Sequence, residues 1–586
     1  MNPIRYTLSF PAPHTHYVEV RTEVPSAGSD QVELMMAIWT PGSYLIREYE
    51  RHVENLAATG TDGAGLLIRK TGKNRWTIST GGAETVVVTY RVYGREMSVR
   101  TNWIESGFAL INGAPTFLTL AESNERPHEI TVLMPSTWSR SITSLPVIAG
   151  AEHRYSAATY DVLVDSPILA GNPVVYEFAI DGKPHRLVDE GEEGVFDGAR
   201  AARDLEIIAQ EHHRFWGTVP YDSYTCINMI TEGGGGLEHS SSAVLMTSRW
   251  ATRTRRAYLG WLELASHELF HVWSGKRLRP IELGPFDYER EVHTCSLWVV
   301  EGITDYYGDL LLHRAGLSTR EEFLASLSDK IDALQTTPGR GVQSLTNASF
   351  DAWIKHYRPD ENSPNTSMSY YIKGAVVAFL LDMRIRHVSR GQRSLDDVMR
   401  TAYVRYSGSR GYSEPEFRAL VEDVAGATLE TFWESALEGT GELDFSEALD
   451  VLGLRFKTPE PLSGRLPGKA TLGAVTRIDN GRLLVSQVRR GTAAYEAGLN
   501  VDDEIVAIDE FRIRADQLDA RMEQYVAGDP VAILVARRDR LMRLNALLGT
   551  EPLKAWQLEI DPRASTAQRT ILDFWLAQSG NPAVSG

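Results

Sequence analysis

The chain has 586 residues, with 60 Lys and Arg against 77 Asp and Glu and a formal net charge of −17. With 43% hydrophobic and 23% charged residues, 13 Trp and 23 Tyr, the composition is globular and the length calls for about three or four domains. The acidic balance argues against nucleic acid or an anionic membrane surface as the main partner, two cysteines (Cys226 and Cys295) exclude a disulfide framework, and no apolar run approaches the roughly 18 residues of a membrane-spanning helix.

The opening Met-Asn-Pro-Ile-Arg-Tyr-Thr-Leu-Ser-Phe shows no basic segment followed by a long apolar core, so no secretory signal is visible. The expectation is a cytoplasmic chain, or a periplasmic one if a signal has been removed. Residues 1–175 read as β. Tyr6 to Phe10, Tyr17 to Val24, Gln31 to Met36 and Thr85 to Val92 are alternating or β-branched runs between Gly, Pro, Asn and Asp breaks, which predicts an antiparallel β-sandwich. Within it, the aromatic, charged and breaker-rich stretch Trp39 to Tyr49 reads equally as a functional loop or an ordinary packed one.

A second domain spans 176–458. Asp197 to Gly217 patterns as a helix with Ala201, Leu205, Ile208 and Phe215 on one stripe, and Tyr224 to Ile230 as a strand. Four glycines, Gly233 to Gly236, precede Leu237, Glu238 and His239, and Ala243 to Met246 reads as an edge strand. Glycines such as Gly235 and Gly236 let backbone approach a ligand closely, and Glu238 beside them is a carboxylate able to hold a substrate ammonium; a flexible hairpin loop is the plainer alternative.

The next helix carries His267-Glu268-Leu269-Phe270-His271, a His-Glu-x-x-His pattern inside an apolar run from Tyr258 to Val272 with no proline before Pro280. Histidines four apart sit on one helix face and can direct two nitrogens at one ion. Glu268 reaches the same space and can take a proton from a metal-bound water. A catalytic zinc needs a third protein ligand. Glu301, on the otherwise apolar helix Ser296 to His313, is the best candidate, because a buried carboxylate there is costly unless paired or metal-bound. Asp305, one turn on, can accept the N–H of a zinc-bound histidine. Glu263, Glu282, Glu289, Glu291 and His293 are rivals. Thr319 to Gly439 reads as mostly helical and includes Tyr370 and Tyr371, either of which could support an oxyanion or simply pack.

A Pro- and Gly-rich boundary is expected near Pro459 to Lys469. Beyond it, strands and an Ala497-Gly498-Leu499 stretch mark a third unit, 465–560, and Ile571 to Leu576 a short helix in the final segment, 561–586.

On these motifs the chain resembles the glycyl aminopeptidase family of gluzincin zinc metallopeptidases, more distant relatives of aminopeptidase N. The resemblance implies a multidomain α+β protein: an N-terminal antiparallel β-sandwich, a thermolysin-like, mainly helical catalytic domain and a C-terminal PDZ domain. It implies one zinc ion per chain held by His267, His271 and Glu301, with Glu268 as general base and Asp305 orienting a ligand. Gly234 to His239 is similar to the relatives' Gly-x-Met-Glu-Asn motif, with leucine for methionine and histidine for asparagine, which would make Glu238 the group that binds the substrate α-amine. Tyr371-Ile372-Lys373-Gly374 resembles their Tyr-x-Lys-Gly, making Tyr371 the transition-state tyrosine. Leu472, Gly473 and Ala474 sit where a PDZ carboxylate-binding loop would be, and Asp503 fits the aspartate of the PDZ hallmark. The implied partners are peptide substrates and, at the PDZ domain, a peptide or protein terminus.

The expected activity is a zinc aminopeptidase cutting the first peptide bond, with preference for a small first residue, Gly or Ala. A PDZ-assisted endopeptidase is the same chemistry without an amine anchor. A peptide-binding protein with a structural metal site would need a fourth protein ligand, such as Cys226 or Cys295.

Overall fold

The computed structural model describes residues 1–121, 124–457, 469–550 and 555–577. Among the described residues the N-terminal part holds three sheets. One is six-stranded, in the order Arg154–Ala157, His128–Leu133, Ile4–Ser9, Tyr17–Pro25, Thr85–Tyr93, Val53–Gly60. A four-stranded sheet runs Thr119–Leu120, Gln31–Met35, Arg75–Ser79, Ile68–Lys70, and another Arg140–Thr143, Ile168–Gly171, Ala109–Ile111, Trp103–Ile104. The first two share one core, in which Tyr6, Leu8, Val18, Val20, Val86 and Val88 meet Leu34, Trp76 and Ile78. Every second residue of the strands supplies it, as the period of two requires. The expected antiparallel character needs one correction: Ile4–Ser9 pairs parallel with His128–Leu133, Ile4 opposite His128. A parallel pair needs a long crossover, and local alternation carries no trace of a partner so distant in sequence.

The second part, the expected catalytic part, opens with a five-stranded mixed sheet ordered Val174–Ile180, Lys183–Glu190, Tyr224–Thr231, Ser242–Ser248, Gly235–Glu238. Ser242–Ser248, expected at the edge, lies inside; of the glycine run expected to be a turn or loop, Gly233 and Gly234 are in a loop, while Gly235 and Gly236 open the edge strand, with Gly236 opposite Leu245 and Glu238 opposite Ala243. Glycine is depleted in strands; here it marks a close backbone approach to the helix beneath. The helix Gly198–Trp216 is capped by the Asp197 side chain on Arg200 N–H and ends on Gly217 in the left-handed region. Thr254 caps Arg255–Phe270. Glu301 lies in a one-turn π-helix, Trp298–Gly302, that runs into Ile303–Arg314. This segment crosses the long helix Tyr370–Val388 backbone to backbone: a Cβ on Gly302 would stand 2.5 Å from Gly374 Cα.

A third unit has its own core around Val485, Ile505, Ile508, Ile533 and Val535. Its main sheet is ordered Ala474–Asp479, Arg482–Val488, Glu504–Ile508, Pro530–Arg537, Arg540–Leu547. It meets the catalytic part through Asn365, whose Nδ2 donates to Val488 O (2.9 Å) and whose Oδ1 accepts from Arg490 N (2.7 Å). The expected boundary at Pro459 to Lys469 lies, save Lys469, outside the described residues, as does the part of the final segment after Ala577. The chain then returns to the catalytic part. Leu558–Ile560 pairs with Leu454–Phe456, and the helix Thr566–Leu576 places Leu572, Trp575 and Leu576 in the catalytic core. Among the described residues no helix is long and apolar enough to cross a membrane.

Trp575 is fully buried, and its Nε1 donates to Tyr306 Oη (2.9 Å), which in turn donates to Asp382 Oδ2 (2.8 Å). Trp575→Ala is therefore expected to destabilise the catalytic part by about 3–5 kcal/mol, read as a lowered urea midpoint. An unchanged midpoint would make the last helix a mere appendage.

Candidate active site

The Arg255–Phe270 helix delivers His267 and Glu268, and His271 caps its end. His271 Nδ1 lies 2.9 Å from Ser274 O. A carbonyl only accepts, so Nδ1 carries the proton and the Nε2 lone pair faces inward. That nitrogen is 3.0 Å from His267 Nε2 and 3.2 Å from Glu301 Oε2, while His267 Nε2 is 3.6 Å from the same oxygen. On its other side His267 Nδ1 is 3.6 Å from Asp305 Oδ1. One ligand atom from each of His267, His271 and Glu301 thus lies within 4.8 Å of the others. Three electron-rich atoms meeting in a buried space call for a cation, and two imidazoles with a carboxylate are a donor set that suits zinc. Neither Cys226 nor Cys295 belongs to the groups of converging donors among the described residues.

The π turn gives Glu301 its aim, and the Gly302–Gly374 contact draws the Tyr371 helix against it. Burial pushes the Glu301 carboxyl up, but the two imidazoles outweigh it and hold the group down at about 2. Burial pushes His267 down, yet Asp305 and Glu301 hold it well above the ordinary imidazole value. Asp305 is half-buried, and Lys330, 3.5 Å away, and His267 hold its carboxyl below the ordinary value against the desolvation. Glu268 differs. Burial, with Glu238 and Glu301 adding to it against the pull of the histidines, raises it to about 7. It forms a second converging group with Glu238 and His271.

Glu238 and Glu268 are brought together by glycines. A Cβ on Gly236 would lie 2.0 Å from Glu268 Oε1, so only glycine lets the edge strand sit against that carboxylate. From the N-terminal part, Gly42 (φ +84°) presses on Glu238, where a Cβ would stand 2.4 Å from both oxygens. Gly235 takes φ +115°, a backbone that L side chains avoid. The two departures from the relatives' motif have local reasons. Leu237 is buried in an apolar cluster, where leucine and methionine exchange readily. His239 Nδ1 is 3.0 Å from Asp165 Oδ1 of the N-terminal part, a carboxylate that also takes Lys276 (2.7 Å) and Ser240 N (2.8 Å).

Tyr371 stacks on His267 with ring centroids 6.3 Å apart. Its hydroxyl is 3.5 Å from that of Tyr357, which donates to Gly42 O (3.2 Å). Tyr370, by contrast, is fully buried. Lys373 of the same motif is buried and its Nζ donates to Gly439 O (3.3 Å), away from the histidines.

Among the rival carboxylates, Glu289 is bound to Arg75 (2.7 Å), Glu282 accepts from Thr294 (3.2 Å), and Glu291 pairs with His293 (3.8 Å). Glu263 does face the site, one turn before His267, with burial raising it to about 8. The cavity these residues enclose measures about 560 Å³ and also includes Arg100, Lys330, His356 and Tyr357. Those four carry no motif in the sequence; Gly42 lies in the Trp39 to Tyr49 stretch, whose breaker-rich pattern was its one signal. A larger cavity of about 1030 Å³, lined by residues such as Ser144, Arg186 and Tyr221, holds none of the motif residues.

In the predicted carboxylate-binding loop, Leu472 is buried, its carbonyl accepts from Ala494 N (2.7 Å), and Gly473 (φ +73°) accommodates Thr492, which a Cβ would approach to 2.5 Å. Ala474 begins a strand paired on one side only among the described residues. Asp503 is buried and bound twice by Arg537 (2.7 and 2.8 Å).

Residues 5–172 match the N-terminal domain of the M61 peptidases, and residues 260–377 match the M61 glycyl aminopeptidase domain. Fold and site together define a metallopeptidase. The structure of an aminopeptidase N family protein from Idiomarina loihiensis is 30% identical, with 98% of this chain and 100% of that one aligned at a TM-score of 0.91. The chain belongs to the M61 peptidase family. An M1 zinc metallopeptidase from Deinococcus radiodurans matches at 14% identity over 76% of this chain and 95% of that one, TM-score 0.48. Legionella pneumophila aminopeptidase A, solved with aspartic acid, matches at 14% over 75% and 49%, TM-score 0.48. No curated protein matches the sequence significantly.

Proposed function

We propose that the chain is a zinc aminopeptidase that removes the first residue of peptides, preferring a small one such as Gly or Ala. The observation that carries this reading is the pair of carboxylate roles on one cavity: Glu301 converges with His267 and His271, while Glu238 and Glu268 face the same space from the edge strand and the helix. His267, His271 and Glu301 would hold the zinc, which supplies Lewis-acid polarisation of the scissile carbonyl and an activated water. Asp305 keeps the His267 proton on Nδ1. Glu268 takes the water proton and delivers it to the leaving amine. Glu238 binds the substrate ammonium, which limits cleavage to the first bond. Tyr371 donates its hydroxyl to the oxyanion. The family's glycyl aminopeptidase description supports the small first residue.

The unit 465–560 would be a PDZ domain taking a peptide terminus beside Ala474–Asp479, with Leu472, Gly473 and Ala474 as its carboxylate loop. The open strand edge and the left-handed Gly473 support this.

Hydrolysis of Gly- and Ala-anilides with and without an N-acetyl cap tests the reading. Activity on the uncapped substrate alone, lost on chelation and restored by zinc, is expected. Equal rates on capped and uncapped substrate would make the enzyme an endopeptidase and free Glu238 of its role.

A further inference from the structure

We infer that Arg100, contributed by the N-terminal β part, reads the side chain of the substrate's first residue and favours one that ends in a carboxylate. The inference rests on the aminopeptidase reading above.

Arg100 lines the active-site cavity together with Gly42, Glu238 and Tyr357. Its backbone is fixed: the carbonyl accepts from Tyr49 Oη (3.0 Å) and the N–H donates to Ser98 Oγ (3.2 Å). Its side chain is not. The Nε is buried without a hydrogen-bond partner, and among the described residues no carboxylate lies within 4.0 Å of the guanidinium. The other strong base lining the cavity, Lys330, is already paired with Asp309 (2.7 Å) and Asp305 (3.5 Å). The rest of the cavity is acidic, with Glu238, Glu263, Glu268, Glu301, Asp305 and Asp309 on its wall. A free guanidinium there is a fork of donors lacking its natural acceptor, and a carboxylate fits it in two parallel hydrogen bonds.

Position says which part of the substrate it meets. Glu238, the amine anchor, is packed on Gly42, and the Gly42 carbonyl accepts from Tyr357 Oη (3.2 Å). Arg100 sits close enough to Tyr357 for its charge to oppose the rise that burial imposes on that hydroxyl. Arg100 therefore shares the amine-binding end of the cavity, where the first side chain lies. On the reading above the first side chain is short, and the guanidinium then favours aspartate over its neutral isostere and disfavours a cation.

The test compares Asp- and Asn-anilides, equal in size and different in charge, on the full zinc-loaded chain with Ala-anilide as reference. The wild type is expected to favour Asp by about tenfold in kcat/KM, the worth of one charge-assisted interaction. Arg100→Gln should bring the Asp/Asn ratio to about one or below, and Arg100→Lys, which keeps the charge without the fork, should retain part of it. A structural role alone would lower both rates together and leave the ratio unmoved. A wild-type ratio of one or less, or a ratio unchanged in Arg100→Gln, overturns the inference. A wild type inactive even on Ala-anilide would sink the aminopeptidase reading first, and this inference with it.

Discussion

Glu268→Gln is expected to lower kcat by about 10²–10⁴-fold, the contribution of a positioned general base, while the zinc stays bound. Glutamine keeps the shape that packs under Gly236, so the edge strand and helix need not move. It cannot take the proton. The ligand set His267, His271 and Glu301 does not include Glu268, although Glu268 and Glu238 also converge on His271. Zinc content and kcat measured on the same sample separate the outcomes. Loss of metal would make Glu268 a ligand, and full activity would pass the base role to another carboxylate, with Glu263 next in line on the cavity wall. On the proposed mechanism the same group sets the acid limb of the pH profile. Burial, with Glu238 and Glu301 adding to it, raises it from 4.5 to about 7 against the pull of the two imidazoles, and a bound dication pulls further down. Since the base acts ionised, kcat/KM falls as pH drops through its pKa, and the limb is expected between those two values.

The metal-facing half of this site was legible because it is local. Two histidines four apart in an apolar helix state their geometry by themselves, and Glu301 and Asp305 stand out as acids one turn apart on another apolar helix. What the spacing could not convey is how Glu301 is aimed. The π turn at Trp298–Gly302 and its contact with Gly374 depend on a helix some 70 residues further along the chain. The substrate-facing half was less legible for the same reason. Gly42 on Glu238 and Arg100 beside Tyr357 join the N-terminal β part to the catalytic part across long sequence separations, and no periodicity encodes such pairs. The parallel pairing of Ile4–Ser9 was hidden in the same way. The second half of the glycine run, Gly235 and Gly236, was misread as a turn because propensity reports the residue's average habit, and tertiary contact decided otherwise.

Gly236→Ala isolates that contact. Its added Cβ would stand 2.0 Å from Glu268 Oε1, 2.4 Å from Cδ and 2.7 Å from Cγ, too close for the carboxylate to remain. The backbone raises no objection, since Gly236, unlike Gly235, is outside the left-handed region. The cheapest relief is for Glu268 to swing away, a move of a flexible side chain that costs the fold little. The base is then displaced by an ångström or more from the position it must hold, a shift worth about 10²-fold in rate. The variant should therefore lose about 10²-fold in kcat while keeping its zinc and nearly all of its thermal stability. Gly234→Ala is the control, because a Cβ there meets nothing within 4 Å and its backbone is equally permissive. If Gly236→Ala kept wild-type activity, the strand would have yielded instead of the carboxylate, and Glu268 would be held by the helix alone. A large drop in melting temperature would mean that neither yields. Loss of rate with the fold and the metal intact is the result that makes the glycine edge strand part of the machinery that positions the base.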